Sequence, residues 1–208
     1  MELSEYPTFT VIMRSYTPEQ ADAIMQAMAG FENQFGVEVT MNTPHALDII
    51  ENGNAQYGDR IHIGAGTVTT LDEAKAAIAK GAKFMLSPIE FTDDIFAYAK
   101  AHDVITVPAA MTPTEVHDMF EKGADIVKIF PATTVGSDFF KAIQAPLGKL
   151  PLMAVGGVSL ANAKDLLTHG TSYLGIGSKM FNAEDLANRN VDGLAASMQA
   201  FVDIKYAL

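Results

Sequence analysis

The 208-residue chain contains no cysteine and no tryptophan. The first absence removes disulfides, thiolate metal sites and cysteine nucleophiles together. Basic residues are scarce: 14 Lys and Arg stand against 25 Asp and Glu, a formal net charge of −11. A surface of that sign repels a phosphodiester backbone, so no nucleic-acid partner is expected. No apolar run reaches the ~18 residues needed to cross a bilayer. Residues 1–7 carry two Glu and none of the basic and apolar pattern of a secretion signal. No membrane partner is expected, and the expected location is the cytoplasm. The five histidines (45, 62, 102, 117 and 169) are scattered, without HxH or HExxH spacing. Neither a metal nor a cofactor is expected.

Apolar residues make up 49% of the chain and charged residues 19%, which excludes extended disorder. Short apolar runs rich in Val, Ile and Phe predict strands at 9–13, 37–40, 61–63, 84–86, 104–107, 126–130, 152–155 and 173–176. Amphipathic stretches lie between them. Helix starts are marked by Thr17-Pro18, by Thr70 with Glu73 three residues on, by Thr92, by Thr112-Pro113 and by Ser159. Gly81, Gly123 and Gly170 mark helix ends. Eight strands alternate with about eight helices, and continuously apolar strands are those of a parallel sheet covered on both faces. The expected fold is α/β, a single-domain (β/α)8 TIM barrel over residues 1–208, with an open doubly wound sheet as the rival.

Barrel sites lie at the C-terminal ends of strands. Lys128 sits within the apolar run Ile126-Val-Lys-Ile-Phe130. Burying an ammonium depresses its pKa, and a neutral amine is what Schiff-base chemistry on a ketone requires. The same lysine could equally snorkel to solvent or pair with a carboxylate. Period-2 geometry puts Ile126, Lys128 and Phe130 on one face. Glu38, between Val37 and Val39 in the second strand, is suited to proton transfer next to a carbonyl, or to a structural salt bridge. The second and sixth strands are both even-numbered, so Glu38 and Lys128 can share one layer of the interior.

Glycine-rich segments mark three further strand ends. Gly64-Ala-Gly-Thr67 offers close backbone approach and a Thr67 hydroxyl for a carboxylate, or a simple tight turn. Gly156-Gly157 and Gly175-Ile-Gly177-Ser178-Lys179 follow the seventh and eighth strands, where barrels commonly bind phosphate through backbone N–H groups.

Together these residues resemble the 2-keto-3-deoxy-6-phosphogluconate / 4-hydroxy-2-oxoglutarate (KDPG/KHG) aldolases, class I aldolases with a compact (β/α)8 barrel. The resemblance rests on Glu38-Val-Thr, Gly64-Ala-Gly-Thr67-Val, Leu86-Ser-Pro88, Val127-Lys128-Ile-Phe130-Pro131-Ala132 and Gly156-Gly157-Val158, in that order. It implies Lys128 as the Schiff-base residue, Glu38 as the general acid/base and Thr67 as a ligand of the pyruvyl carboxylate. Pro88 and Phe130 would line the pocket. Gly156, Gly157, Gly177 and either Ser178 or Lys179 would hold a substrate phosphate. The implied partner is a small 2-oxo acid, and the implied assembly is a homotrimer.

One departure bears on the substrate carboxylate. The family's strand-2 motif usually places an Arg where this chain has Asn42, which donates hydrogen bonds without charge. Arg14, at the end of the first strand, is the candidate to replace it. The implied activity is reversible cleavage of a 2-keto-3-deoxy (phospho)sugar acid, or of 4-hydroxy-2-oxoglutarate, to pyruvate and an aldehyde. Two alternatives remain on the sequence. One is a sugar-phosphate isomerase or epimerase using Glu38 and Lys128 without a covalent step, and the other is a non-catalytic sugar-acid-binding barrel.

Overall fold

Each apolar run becomes a parallel strand in the computed structural model, which describes residues 2–207. Met1 and Leu208, the outermost residues of the expected domain and leader reading, lie outside the described residues. The strands are β1 (Phe9–Met13), β2 (Phe35–Thr40), β3 (Ile63–Gly66), β4 (Phe84–Leu86), β5 (Ile105–Val107), β6 (Ala109–Ala110), β7 (Val127–Ile129), β8 (Leu152–Val155) and β9 (Tyr173–Ile176). Their order is β5-β4-β3-β2-β1-β9-β8-β7-β6, all pairings parallel.

Only Pro108 separates β5 from β6, and proline has no N–H to give to a ladder. Hydrogen bonds nevertheless run unbroken past it. Ile126, Lys128 and Phe130 donate to the carbonyls of Thr106, Pro108 and Ala110 at 3.2, 2.8 and 3.2 Å. On the other flank the Ser87 N–H reaches the Val107 carbonyl at 3.1 Å, and Ala109 reaches Ile89 at 3.0 Å. β5 and β6 are therefore two halves of one stave, and the sheet closes as an eight-staved barrel. The open doubly wound alternative is excluded.

Ten α-helices surround the described barrel: α1 (Pro18–Ala27), α2 (Ala46–Tyr57), α3 (Leu71–Ala79), α4 (Asp93–Ala101), α5 (Pro113–Glu121), α6 (Ala132–Val135), α7 (Asp138–Leu147), α8 (Leu160–Thr168), α9 (Ala183–Asn188) and α10 (Val191–Tyr206). The two beyond the expected eight, α6 and α9, are short turns in the loops after β7 and β9. Capping boxes close the starts of α1, α3, α5 and α8 at Thr17, Thr70, Thr112 and Ser159. Among the described residues no helix is long and apolar enough to cross a membrane.

Alternate residues of each strand point inward, and Tyr6, Ile12, Phe84, Leu86, Ile105, Val107, Ile126, Met153 and Val155 pack as one buried cluster inside the barrel. The larger cluster, with Phe9, Val11, Phe35, Val37 and Phe140, lies between sheet and helices. The third strand is shifted from its expected position at 61–63, so that His62 precedes it and Gly64 and Gly66 lie within it. Packing explains the shift. A Cβ on Gly64 would overlap the Phe84 ring, so a strand facing bulky neighbours inside a narrow barrel tolerates glycine that an isolated strand disfavours.

Candidate active site

β7 carries Lys128 into the interior, where it is only 5% exposed. Its Nζ lies 5.1 Å from the centroid of the Phe130 ring, two residues along the same face. The ammonium pKa is brought down to about 8, chiefly by desolvation on burial; the Glu38 carboxylate opposes the shift and the Arg14 charge adds to it. Snorkelling is thus ruled out, since the amine ends in the apolar interior.

Glu38 is 2% exposed on β2. Burial raises its pKa, against the lowering influence of Lys128 and Arg14. The structural salt bridge left open by the sequence does not form: no cation of the described residues lies within 4.0 Å of the carboxylate. Its Oε2 is buried without a hydrogen-bond partner. A buried group in that state is costly as structure and is the condition of a carboxyl held ready for a proton.

Three strand ends converge beside this pair. Arg14, just past β1, donates from Nη1 to Asn42 Oδ1 at 3.3 Å and from Nη2 to Thr67 Oγ1 at 3.4 Å. A guanidinium, an amide and a hydroxyl from three different loops thus meet at one point, with Arg14 and Asn42 exposed at the barrel mouth. The backbone there is strained. Ser15, His45 and Thr67 have φ of 60°, 62° and 56°, and a left-handed β-branched residue such as Thr67 is held only by surrounding structure. Part of that structure is a buried threonine pair missed on the sequence. Thr40 and Thr43 share a hydrogen bond of 2.8 Å, and Thr43 Oγ1 accepts from the Ser15 N–H at 2.9 Å. Polar Thr40 at the end of an apolar strand was the available signal.

The remaining expected residues frame the mouth. Pro88 and Phe130 are half-buried beyond β4 and β7. Gly156 has φ +97°, and a Cβ there would approach Pro131 Cα at 3.0 Å and the Phe130 ring at 3.3 Å. Gly157 is exposed with φ +78°, and a Cβ would meet Thr133 Oγ1 at 2.7 Å. Thr133, likewise unassigned on the sequence, ties the loops after β7 and β8 by donating its N–H to the Gly156 carbonyl at 3.3 Å. Val155 is in register with Gly175, so the Gly156-Gly157 loop and the Gly177-Ser178-Lys179 loop leave the barrel side by side. Ser178 and Lys179 are exposed, and a Cβ on Gly177 would meet nothing within 4 Å. Among the described residues the N–H groups of Gly157, Val158, Ser178 and Lys179 donate to no protein acceptor, leaving backbone donors for an anion.

Two outer clefts, of about 480 Å³ against α1 and α2 and about 920 Å³ around Phe96 and Lys122, contain none of these residues. No group of three or more metal-ligating side chains occurs among the described residues.

A closed parallel barrel with a desolvated lysine, an unpaired carboxylate and a cation at its mouth has the make-up of a carbonyl-processing enzyme. Comparison with known proteins narrows that class. The family model described as KDPG and KHG aldolase matches residues 3–197. A 2-dehydro-3-deoxy-6-phosphogalactonate aldolase of Escherichia coli (strain K12) is 31% identical over 193 residues, covering 91% of this chain and 92% of that protein. A probable 2-dehydro-3-deoxy-6-phosphogalactonate aldolase of Rhizobium meliloti (strain 1021) is 32% identical, with 89% of each covered. A solved structure described as native KDPGal superposes with a TM-score of 0.84 at 28% identity, covering 95% of this chain and 96% of that one. The chain belongs to the KDPG and KHG aldolase family, and it is an aldolase, a carbon–carbon lyase.

Proposed function

We propose that the enzyme cleaves a 2-keto-3-deoxy-6-phosphohexonate to pyruvate and glyceraldehyde 3-phosphate through a Schiff base on Lys128. The observation that carries this reading is the buried Lys128 amine, with its pKa lowered to about 8, coupled to an unpaired buried Glu38. Neutral Lys128 attacks the C2 ketone, and the resulting carbinolamine takes up one proton from solvent and loses water, giving a protonated imine. Glu38 takes the proton of the C4 hydroxyl, the C3–C4 bond breaks toward the imine, and an enamine of pyruvate remains as the aldehyde departs. The enamine is protonated at C3, and water releases pyruvate from Lys128. Glu38, with its pKa raised by burial, suits both the acceptance and the return of a proton.

Arg14 supplies the positive charge for the substrate carboxylate, with Asn42 and Thr67 as its neutral hydrogen-bonding partners. The Gly156-Gly157 and Gly177-Ser178-Lys179 loops take the 6-phosphate, while Pro88 and Phe130 wall the carbon chain. Both relatives described above are named for the galactonate epimer, so this epimer is the first substrate of the proposal, with the gluconate epimer and 4-hydroxy-2-oxoglutarate as competitors. A homotrimer acting in the cytoplasm on this one small molecule completes the reading.

The test is a cleavage assay on the two phosphorylated epimers and 4-hydroxy-2-oxoglutarate, with pyruvate measured by a coupled dehydrogenase. The highest kcat/KM is expected for the galactonate epimer. A preference for unphosphorylated 4-hydroxy-2-oxoglutarate would overturn the assignment of the two glycine loops.

A further inference from the structure

The Glu38 carboxylate poses a question of placement. No hydrogen bond to either of its oxygens is found among the described residues, and no cation lies within 4.0 Å. A flexible side chain fixed by neither must be fixed by packing. The register pairs Glu38 with Gly64, and Thr40 with Gly66. The Glu38 side chain leans forward along the barrel and ends over Gly66, where a Cβ would fall inside the carboxylate itself, overlapping its Oε1 and Cδ.

Gly66 has no positive φ, so its backbone conformation does not call for glycine. Nor is it at a turn: it is the last residue of β3, and its carbonyl accepts from the Met41 N–H at 2.8 Å. What the position excludes is a side chain, and the atoms that fill the vacated space are those of Glu38.

We infer that Gly66 is the positioning residue of the proton-transfer group: its bare Cα is the seat that sets where the Glu38 carboxylate stands relative to Lys128. The inference rests on Glu38 being the acid/base of the proposed reaction. A Cβ at 66 would stand 1.5 Å from Oε1, so a methyl group there displaces the carboxylate by more than an ångström, and a misplacement of about 1 Å can already cost about 10²-fold in rate. Imine formation at Lys128 does not use that seat and is spared.

The experiment uses the full chain with pyruvate alone, so it does not depend on which aldehyde the enzyme takes. Exchange of the pyruvate methyl protons with deuterium oxide, followed by NMR, requires the imine and then removal and return of a C3 proton. Borohydride trapping reports the imine by itself. For Gly66→Ala we expect at least a tenfold fall in exchange kcat with undiminished trapping on Lys128 and little change in the KM for pyruvate. Glu38→Asp, whose shorter side chain draws the carboxylate back, should restore part of the exchange when combined with Gly66→Ala, so that the double variant exceeds the Gly66→Ala single.

Thermal unfolding gives a second readout. Gly66→Ala should lower the melting midpoint in the natural background but leave it unchanged in a Glu38→Ala background, where the space is vacant. Wild-type exchange in Gly66→Ala overturns the inference, as does an equal loss of stability in both backgrounds. Wild-type exchange in Glu38→Gln instead removes Glu38 as the proton-transfer group, a distinct failure of the underlying reading.

Discussion

Replacing Arg14 by Ala tests how this barrel manages without the family's strand-2 arginine. The guanidinium is shared between Asn42 Oδ1 at 3.3 Å and Thr67 Oγ1 at 3.4 Å, and it also lowers the pKa of Lys128. Two effects follow. A charge-assisted contact to the substrate carboxylate is worth roughly 1.5–3 kcal/mol, so the KM for pyruvate in methyl exchange should rise about 10- to 150-fold.

Loss of the positive charge also removes one of the causes that depress the Lys128 pKa, which then moves above about 8. With a pKa near 8, about one amine in eleven is neutral at pH 7. At the unperturbed value the neutral fraction would fall roughly 300-fold further, so even a partial return lowers the rate of imine formation. The plot of kcat/KM against pH should rise through about 8 in the natural enzyme, and its rise should shift to higher pH in Arg14→Ala. Asn42 is hydrogen-bonded to this guanidinium, so adding Asn42→Arg to Arg14→Ala puts a cation back in the same place from β2. Partial recovery of KM is expected. An unchanged KM and pH profile in Arg14→Ala would refute the assignment of Arg14 as the carboxylate's cation.

Three further outcomes are expected. Lys128→Met should abolish cleavage and yet raise the melting midpoint by several degrees, because a buried cation is replaced by an apolar chain of similar length. The gap between 10.5 and about 8 corresponds to a stability penalty on the order of 3 kcal/mol at neutral pH. That penalty holds below pH 8 and shrinks as pH rises toward 10.5, so the stability advantage of the Met variant should narrow between pH 8 and 10.5 in thermal melts. Glu38→Gln should lower cleavage about 10²- to 10⁴-fold, the usual worth of a positioned acid/base, while trapping of pyruvate persists. Gly157→Ala, at φ +78° and against Thr133, should raise the KM for a phosphorylated substrate at least tenfold and leave pyruvate exchange unchanged.

The alternation of elements was plain in the sequence because each is locally encoded. Thr17, Thr70, Thr112 and Ser159 each carry a capping residue three positions on, and Gly81, Gly123 and Gly170 take positive φ at helix ends. Lys128 and Glu38 stood out because a charge inside an apolar strand has few physical reasons to be there. The family resemblance singled out Asn42 and Thr67, and topology then pointed to Arg14, since the loops after adjacent strands lie side by side.

Other features depend on neighbours far along the chain. Gly64 and Gly66 read as a loop, because only the Phe84 ring and the Glu38 carboxylate explain glycine within that strand. The left-handed backbone at Ser15 and Thr67 has no local signature, being sustained by tertiary hydrogen bonds such as that from Ser15 to Thr43. Pro108 splits the fifth stave into two short strands, although its carbonyl remains in the ladder.

Covalent capture of pyruvate tests the mechanism most directly. The full chain is incubated with pyruvate and borohydride, digested, and mapped by mass spectrometry. A reduced pyruvyl adduct on Lys128, and on no other lysine, is the predicted result. No adduct at saturating pyruvate, or an adduct elsewhere with Lys128 unmodified, would contradict it.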